Sequence, residues 1–288
     1  MISLRDSQLQ LLWTARIDYA EGSWVEAHQH ADFEQLFIVL SGAGWIHSGA
    51  ESCEIKEGLA FLFRRSVSHS FQFTDETVTL DFKFRLLDGA VIDALSNVQA
   101  SCLCQGVHLS EIKQWYKLSL QRLKYPNSVM PLRIEAGFKS TLVSLFLGNA
   151  AASLHDSTVL SNIDDDEPIA AYLRLNLAHK ITLDQLSRRF GYNPNYLIRV
   201  FSGKTGLTPI QYLQEIRLEK ATEYLEFTAL PITEIAEKVG WSLPYFSKMI
   251  KERIGLTPSQ YRKSLINEVG RDIVLEPDFE NIWRVEYP

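Results

Sequence analysis

His28, His30, Glu34 and His69 have the residue types and the spacing of a metal or small-molecule site. Imidazole nitrogens and carboxylate oxygens are common protein ligands of divalent transition metals. His28 and His30 form an H-x-H pair, and alternate residues of a strand point to one side, so the pair can converge. The same groups suit two other ends: a pocket for a small effector without a metal, or histidines that only complete a fold. Trp24 and Trp45, with Phe33, Phe61, Phe63 and Phe71, offer aromatic faces for a sugar ring, or barrel core. Patterns for covalent or phosphate chemistry are missing: there is no G-x-S-x-G, no G-x-x-x-x-G-K-[ST] and no H-E-x-x-H.

A second group of residues suits a polyanion. Residues 181–212 and 230–261 repeat each other at an offset of 49 without a gap. Gly191 falls on Gly240, Tyr196 on Tyr245, and Gly206-Leu207-Thr208-Pro209 on Gly255-Leu256-Thr257-Pro258. Each copy reads as helix, turn, helix. Thr182 with Gln185 makes a capping box, Gly191 breaks the first helix, and Asn193-Pro194 starts the second. In copy two, Ser242 takes the cap position.

The second helix of each copy has two faces. Tyr196, Leu197, Val200 and Phe201 are expected to be core, as are Tyr245, Phe246, Met249 and Ile250. The opposite stripe holds Asn195, Ile198, Arg199 and Ser202, matched by Pro244, Ser247, Lys248 and Lys251. A polar and basic stripe backed by a packed one is what a helix needs to meet base edges and phosphates in the major groove. An ordinary amphipathic bundle helix is the alternative, and duplication of the turns and stripes argues against it. Residues 209–227 between the copies read as one connecting helix.

The distribution of charge agrees. The 288-residue chain has a formal net charge of −6, but residues 168–265 carry 14 Lys+Arg against 8 Asp+Glu. Acidic segments flank this basic one, so the total hides it. Three cysteines without a C-x-x-C pair argue against a zinc ribbon or a disulfide framework and suit a reducing cytosol. No signal peptide and no apolar run long enough for a membrane span is read.

Residues 168–264 resemble the DNA-binding domain of the AraC-type (arabinose regulator) transcription factors. The residues that carry the resemblance are the Gly191-Tyr192 turn, Gly206-Leu207-Thr208-Pro209, Ile232-Thr233-Glu234-Ile235-Ala236 and Gly255-Leu256-Thr257-Pro258, followed by Gln260-Tyr261-Arg262. The resemblance implies DNA contacts from Asn195, Ile198 and Arg199 in the first copy and from Ser247 and Lys248 in the second; the exposed stripes add Ser202 and Lys251 as candidates. One departure is visible: relative to the family pattern, the second unit is a residue short between Trp241 and Tyr245.

In the N-terminal part, short apolar runs at Gln35–Leu40, Gly44–His47, Leu59–Phe63 and Thr77–Phe84 suit a small all-β barrel. Gly22, His28, His30, Glu34 and Gly42 resemble the first cupin motif. Gly58 and His69 match the second in part, with Arg64 where proline is usual. Residues 109–154 read as two helices, bracketing Pro126 and Pro131, and resemble the dimerisation element of the family.

The resulting expectation is an α+β chain of two domains. Residues 1–155 form a cupin-like β-barrel with a helix pair, 156–167 a linker, 168–265 an all-α tandem helix-turn-helix, and 266–288 an acidic tail, either disordered or packed on another surface. By resemblance the chain is a cytoplasmic homodimeric regulator, not an enzyme, that binds double-stranded DNA and a small effector, commonly a sugar, with RNA polymerase as a further partner. No cofactor is required, and a divalent metal on His28, His30, Glu34 and His69 is one option. The rival reading is a cupin metalloprotein or metalloenzyme with an appended DNA-binding module.

Overall fold

A computed structural model describes residues 4–49, 51–124, 129–148, 168–265, 273–274 and 285–286. The 156–167 linker and Pro126 lie outside the described residues. The chain divides into two units. One comprises residues 1–154 and 266–288, the other residues 155–265.

The first unit is built on two antiparallel sheets. Its strands are β1 (Leu9–Tyr19), β2 (Trp24–His28), β3 (Glu34–Ser41), β4 (Gly44–Ser48), β5 (Glu51–Ile55), β6 (Leu59–Phe63), β7 (His69–Phe73), β8 (Thr77–Leu86), β9 (Ser101–Leu103), β10 (Ile273–Val274) and β11 (Val285–Glu286). The larger sheet has the order β10-β1-β8-β3-β6-β9 and the smaller β11-β2-β7-β4-β5. Side chains alternate across a strand, so each strand offers one face to the space between the sheets. Trp13, Ile17, Phe37, Val39, Ile46, Phe61, Phe63, Phe71 and Phe73 fill that space.

The larger sheet is buried on both faces. Helices α1 (Gly89–Ser96), α2 (Gly106–Lys124) and α3 (Met130–Leu147) belong to this unit. Phe138 of α3 stacks on Phe82 and meets Phe84 edge-on, so both faces of β8 are covered and the strand is buried along nearly its whole length although polar and apolar residues alternate in it. Within the helix pair, the Trp115 indole lies against Gly137, where an added Cβ would stand 2.3 Å from the ring. Helix α1 and strands β1 and β9 escape the sequence reading.

The described residues of the tail join the sheets. β10 pairs with β1, Trp13 opposite Val274, and β11 pairs with β2, Val25 opposite Val285. At the described tail residues, 273–274 and 285–286, packing on another surface is the one seen. The tail supplies backbone partners to an open strand edge of each sheet.

The second unit is all helical: α4 (Pro168–Leu175), α5 (Leu183–Phe190), α6 (Pro194–Thr205), α7 (Pro209–Phe227), α8 (Ile232–Lys238), α9 (Leu243–Ile254) and α10 (Pro258–Leu265). The capping box Thr182–Gln185 forms, and Thr208–Gln211 and Thr257–Gln260 repeat its hydrogen bonds. Asn193 caps α6 by accepting from the Asn195 N–H, whereas Ser242 makes no side-chain cap bond. α9 begins 49 residues after α6, so the two copies share one spacing, and the short turn after Trp241 does not displace the second helix.

Two small cores result. One gathers Leu186, Leu197, Phe201 and Leu213, the other Ala221, Ile235, Phe246 and Ile250. α7, about 28 Å long at 1.5 Å per residue, contributes to both. Arg217 on α7 donates to the Leu177 and His179 carbonyls at 2.7 Å, and Gly240 lies against the Ala178 carbonyl between them. This contact ties the turn of the second copy to the α4–α5 connection that leads into the first.

Candidate functional site

The stripe on α6 is largely as expected. Leu197 and Phe201 are buried, while Asn195 and Arg199 are exposed and Ile198 is half-buried. Ser202 is half-buried, and its hydroxyl donates to the Leu207 carbonyl at 3.1 Å, so the side chain is engaged in the turn. On α9, Pro244, Lys248 and Lys251 are exposed and Ser247 is half-buried. Lys248 stands 3.8 Å from Glu252 one turn on.

Tyr196 and Tyr245 depart from expectation. They are 45% and 41% exposed rather than core. A unit of three short helices buries only the narrow i, i+4 seam of its second helix, Leu197/Phe201 and Phe246/Ile250. Residues one position earlier turn out to solvent. Tyr196 instead packs against Tyr192 and lies 5.3 Å from the Arg199 guanidinium, which it orients. A cleft of about 550 Å³ at the first helix-turn-helix copy is lined in part by His179, Lys180, Arg188 and Arg189. The matching positions of the second copy hold Thr228, Ala229, Glu237 and Lys238, so the first copy is the more cationic there.

In the barrel, His28, His30 and His69 come together. One nitrogen of each lies within 4.8 Å of the others. Their convergence differs from the expected strand alternation. His28 ends β2 after a register shift and faces His69 across the β2–β7 pair, with ring centroids 4.3 Å apart. His30 lies beyond the strand, held by a hydrogen bond from the Ser66 N–H to its carbonyl at 2.7 Å. Ser66 has φ 59°, a left-handed conformation unusual for serine.

Hydrogen bonds fix each ring's tautomer. His28 Nδ1 donates to the Glu26 carbonyl at 2.8 Å, and His69 Nδ1 to the Val67 carbonyl at 2.9 Å. Gln35 Nε2 donates to Asp81 at 2.8 Å, so Gln35 Oε1 faces His30 Nε2 and accepts from it at 3.0 Å. The other three nitrogens, His28 Nε2, His30 Nδ1 and His69 Nε2, are buried and have no partner. Each therefore presents a lone pair. Burial lowers all three ring pKa values, with Lys83 adding to the effect; His30 falls to about 3 and His69 to about 4. Neutral imidazoles with their second nitrogen bound to a carbonyl are the state in which histidine ligates a metal. An ion about 2.1 Å from each nitrogen requires them roughly 3.4 Å apart, so the rings must close inward slightly to hold one. The donor set fits a divalent transition metal.

Glu34 is not part of this cluster. It pairs with Arg65 at 2.7 Å and accepts from the Leu86 N–H at 3.0 Å. Burial pushes its pKa up, opposed by Arg65. The reason is strand parity. Glu34 stands opposite Phe84, whose side chain faces the helices, whereas Gln35 stands opposite Lys83 and faces the interior. Trp24 and Trp45 are also on the wrong face. Both register with Gln72, on the outside of the smaller sheet, and Trp45 is 44% exposed. The aromatic walls of the cluster are Phe33, stacked on His30, and Phe63, stacked on His69. Sequence reading missed Gln35, Asp81 and Lys83. The alternation of polar Thr77, Thr79, Asp81 and Lys83 with apolar residues along β8 was the available signal.

Comparisons with known proteins agree with both halves. A helix-turn-helix domain model matches residues 186–264 and a cupin domain model residues 15–82. The uncharacterized HTH-type transcriptional regulator YbfI of Bacillus subtilis is 25% identical over 215 residues, 71% of this chain and 75% of that protein. The HTH-type transcriptional activator RhaS of Yersinia pestis is 27% identical over 224 residues, 72% of this chain and 78% of that protein. Among solved structures, the C-terminal domain of AraT, a response regulator from Geobacillus stearothermophilus, is 35% identical, covering 36% of this chain and 88% of that one with a TM-score of 0.33.

Proposed function

We propose that this chain, which carries an AraC-type helix-turn-helix domain with a cupin domain ahead of it and resembles HTH-type transcriptional regulators, is a ligand-responsive switch whose sensing centre is His28, His30 and His69. The observation that carries the reading is the set of three buried, unpartnered imidazole nitrogens aimed at one another. Buried acceptors left without partners are costly, and such groups usually have a ligand. A divalent metal held by His28 Nε2, His30 Nδ1 and His69 Nε2 accounts for all three and supplies a Lewis-acidic anchor for an effector oxygen.

The chain's own residues do the rest. The Glu26 and Val67 carbonyls and Gln35 hold the rings in the ligating tautomer. Phe33 and Phe63 exclude water on two sides, and the half-buried His28 gives the approach from solvent. The effector class we favour is carbohydrate-derived, since aromatic walls beside polar groups suit a ring bearing hydroxyls. The protein works as a cytoplasmic homodimer through α2 and α3. Effector binding favours one arrangement of the dimer and so alters DNA affinity or contact with RNA polymerase. Asn195 and Arg199 read bases, with Ile198 alongside, and Ser247, Lys248 and Lys251 provide the second contact. The cationic cleft of the first unit supports the stronger anchoring there. The regulators among its relatives support sensing rather than catalysis as the use of the centre.

The test is the DNA affinity of the full chain on a site selected from random DNA, measured metal-loaded, metal-stripped and as His30→Ala. The loaded protein should differ severalfold from the other two in affinity or in the length of DNA protected. Identical curves for all three would sink the sensing role.

A further inference from the structure

An ion on three neutral histidines leaves its charge unbalanced inside the barrel, and from this we propose that the effector is an oxyanion, a sugar acid or similar hydroxylated carboxylate, bound to the ion beside Lys83. This rests on the metal reading given above and deepens it by naming the ligand class.

Three observations carry it. First, among the described residues no carboxylate joins the histidine cluster. The acidic candidate, Glu34, is turned out to Arg65, and the interior position next to it on β3 is Gln35, which brings no charge. Second, the cluster has a cation as its neighbour. Lys83 is fully buried, and its Nζ lies 4.7 Å from the centre of the Trp13 ring and 5.6 Å from that of Phe33. Phe33 itself stacks on His30 at 4.3 Å, so the ammonium and the histidines share one aromatic chamber. Third, Asp81, also fully buried, is engaged at both oxygens, by Gln35 and by Thr79 at 2.8 and 2.9 Å. At most it offsets Lys83.

The two positive charges of a divalent ion then remain, faced by Phe33, Phe63 and Phe71. Charge held in an apolar interior is tolerated only when paired. A neutral polyol fills the open coordination position but supplies no counter-charge. A carboxylate does both, and an adjacent hydroxyl gives a second oxygen to the same ion. Lys83, near the same Phe33 ring on which His30 stacks, then adds an electrostatic attraction for the carboxylate.

Two matched pairs of probes isolate the charge: glycolate against ethylene glycol, and gluconate against sorbitol. Each pair differs only in a carboxylate replacing an alcohol carbon. The full chain is loaded with Co²⁺, whose visible absorption reports its coordination, and titrated with each probe. Both acids should change the spectrum and saturate at concentrations at least tenfold below their neutral partners. Lys83→Met should weaken gluconate severalfold while Co²⁺ affinity is retained. Where that variant does not fold, the paired titrations of the unaltered chain decide. One bound Co²⁺ with equal responses to acid and alcohol, or with no response to any probe, overturns the oxyanion proposal and leaves the metal reading standing. No bound Co²⁺ overturns both.

Discussion

Replacing Arg199 with alanine separates base reading from phosphate attraction. Arg199 is exposed on α6, and Tyr196 holds its guanidinium from the side at 5.3 Å. An arginine so oriented can make a two-point contact to a guanine edge, worth about 1–3 kcal/mol of discrimination. That corresponds to roughly 5- to 150-fold in affinity for the selected site. Lys248 stands at the matching place on α9, but as a point charge with Glu252 3.8 Å away. Lys248→Ala should cost less than about 1 kcal/mol, an amount typical of exposed charge interactions. It should also reduce the salt slope of log affinity by about 0.9, as expected for one lost phosphate contact. Fluorescence anisotropy on selected and scrambled duplexes, across roughly 50 to 200 mM salt, reads both quantities. Arg199→Ala should weaken the selected duplex far more than the scrambled one. Equal losses on both, or a larger loss of discrimination from Lys248→Ala, would refute the assignment of the first unit as the main reader.

Other expectations follow from the packing. Gly191 and Gly240 occupy matching turns at φ 71° and 70°, but a Cβ at Gly191 meets nothing within 4 Å whereas one at Gly240 would stand 2.5 Å from the Ala178 carbonyl. Gly191→Ala should cost about 1–2 kcal/mol of backbone strain, and Gly240→Ala about 1–3 kcal/mol more; amide hydrogen exchange of the α8–α9 segment measures the difference. Glu34→Ala leaves Arg65 and the Leu86 N–H without their carboxylate and should destabilise the barrel by about 2–3 kcal/mol, discounted for the partly exposed Arg65. It should leave metal stoichiometry unchanged, and loss of metal would return Glu34 to the ligand set. In the metal-free protein the lowered His30 and His69 pKa values mean that the unfolded chain takes up protons first. Stability should therefore be full above about pH 6.5 and fall toward pH 4 by up to about 1.4 kcal/mol per unit for each ring, measured by urea unfolding at several pH values.

The DNA-binding half was legible because its signals are local. A glycine turn and a capping box depend on residues only a few positions apart, the gapless repeat at an offset of 49 shows each of these local signals twice, and the turns appear in the fold at their expected places. Burial within that half was read less well. Tyr196 and Tyr245 look like core by helical period, yet a three-helix unit is too small to cover them. In the barrel the histidines were identifiable by type, but their partners were not. Glu34 and Gln35 are adjacent in sequence and face opposite sides of β3, and only the register with β8 decides which enters the interior. Asp81 and Lys83 come from a strand more than forty residues away and are brought in by sheet pairing. The tail strands β10 and β11 are two residues each, too short for any periodic signal, and owe their place to open edges of β1 and β2.

The central claim is that His28, His30 and His69 hold a metal through which the protein senses its effector. Metal analysis of the purified full chain, beside His28→Ala, His30→Ala and His69→Ala, tests it most directly. The account predicts about one equivalent of a divalent transition metal in the unaltered chain. Each substitution should lose it while helicity and non-specific DNA binding persist. A chain that retains no divalent metal after saturation and desalting, or that retains it equally in all three variants, would contradict the account.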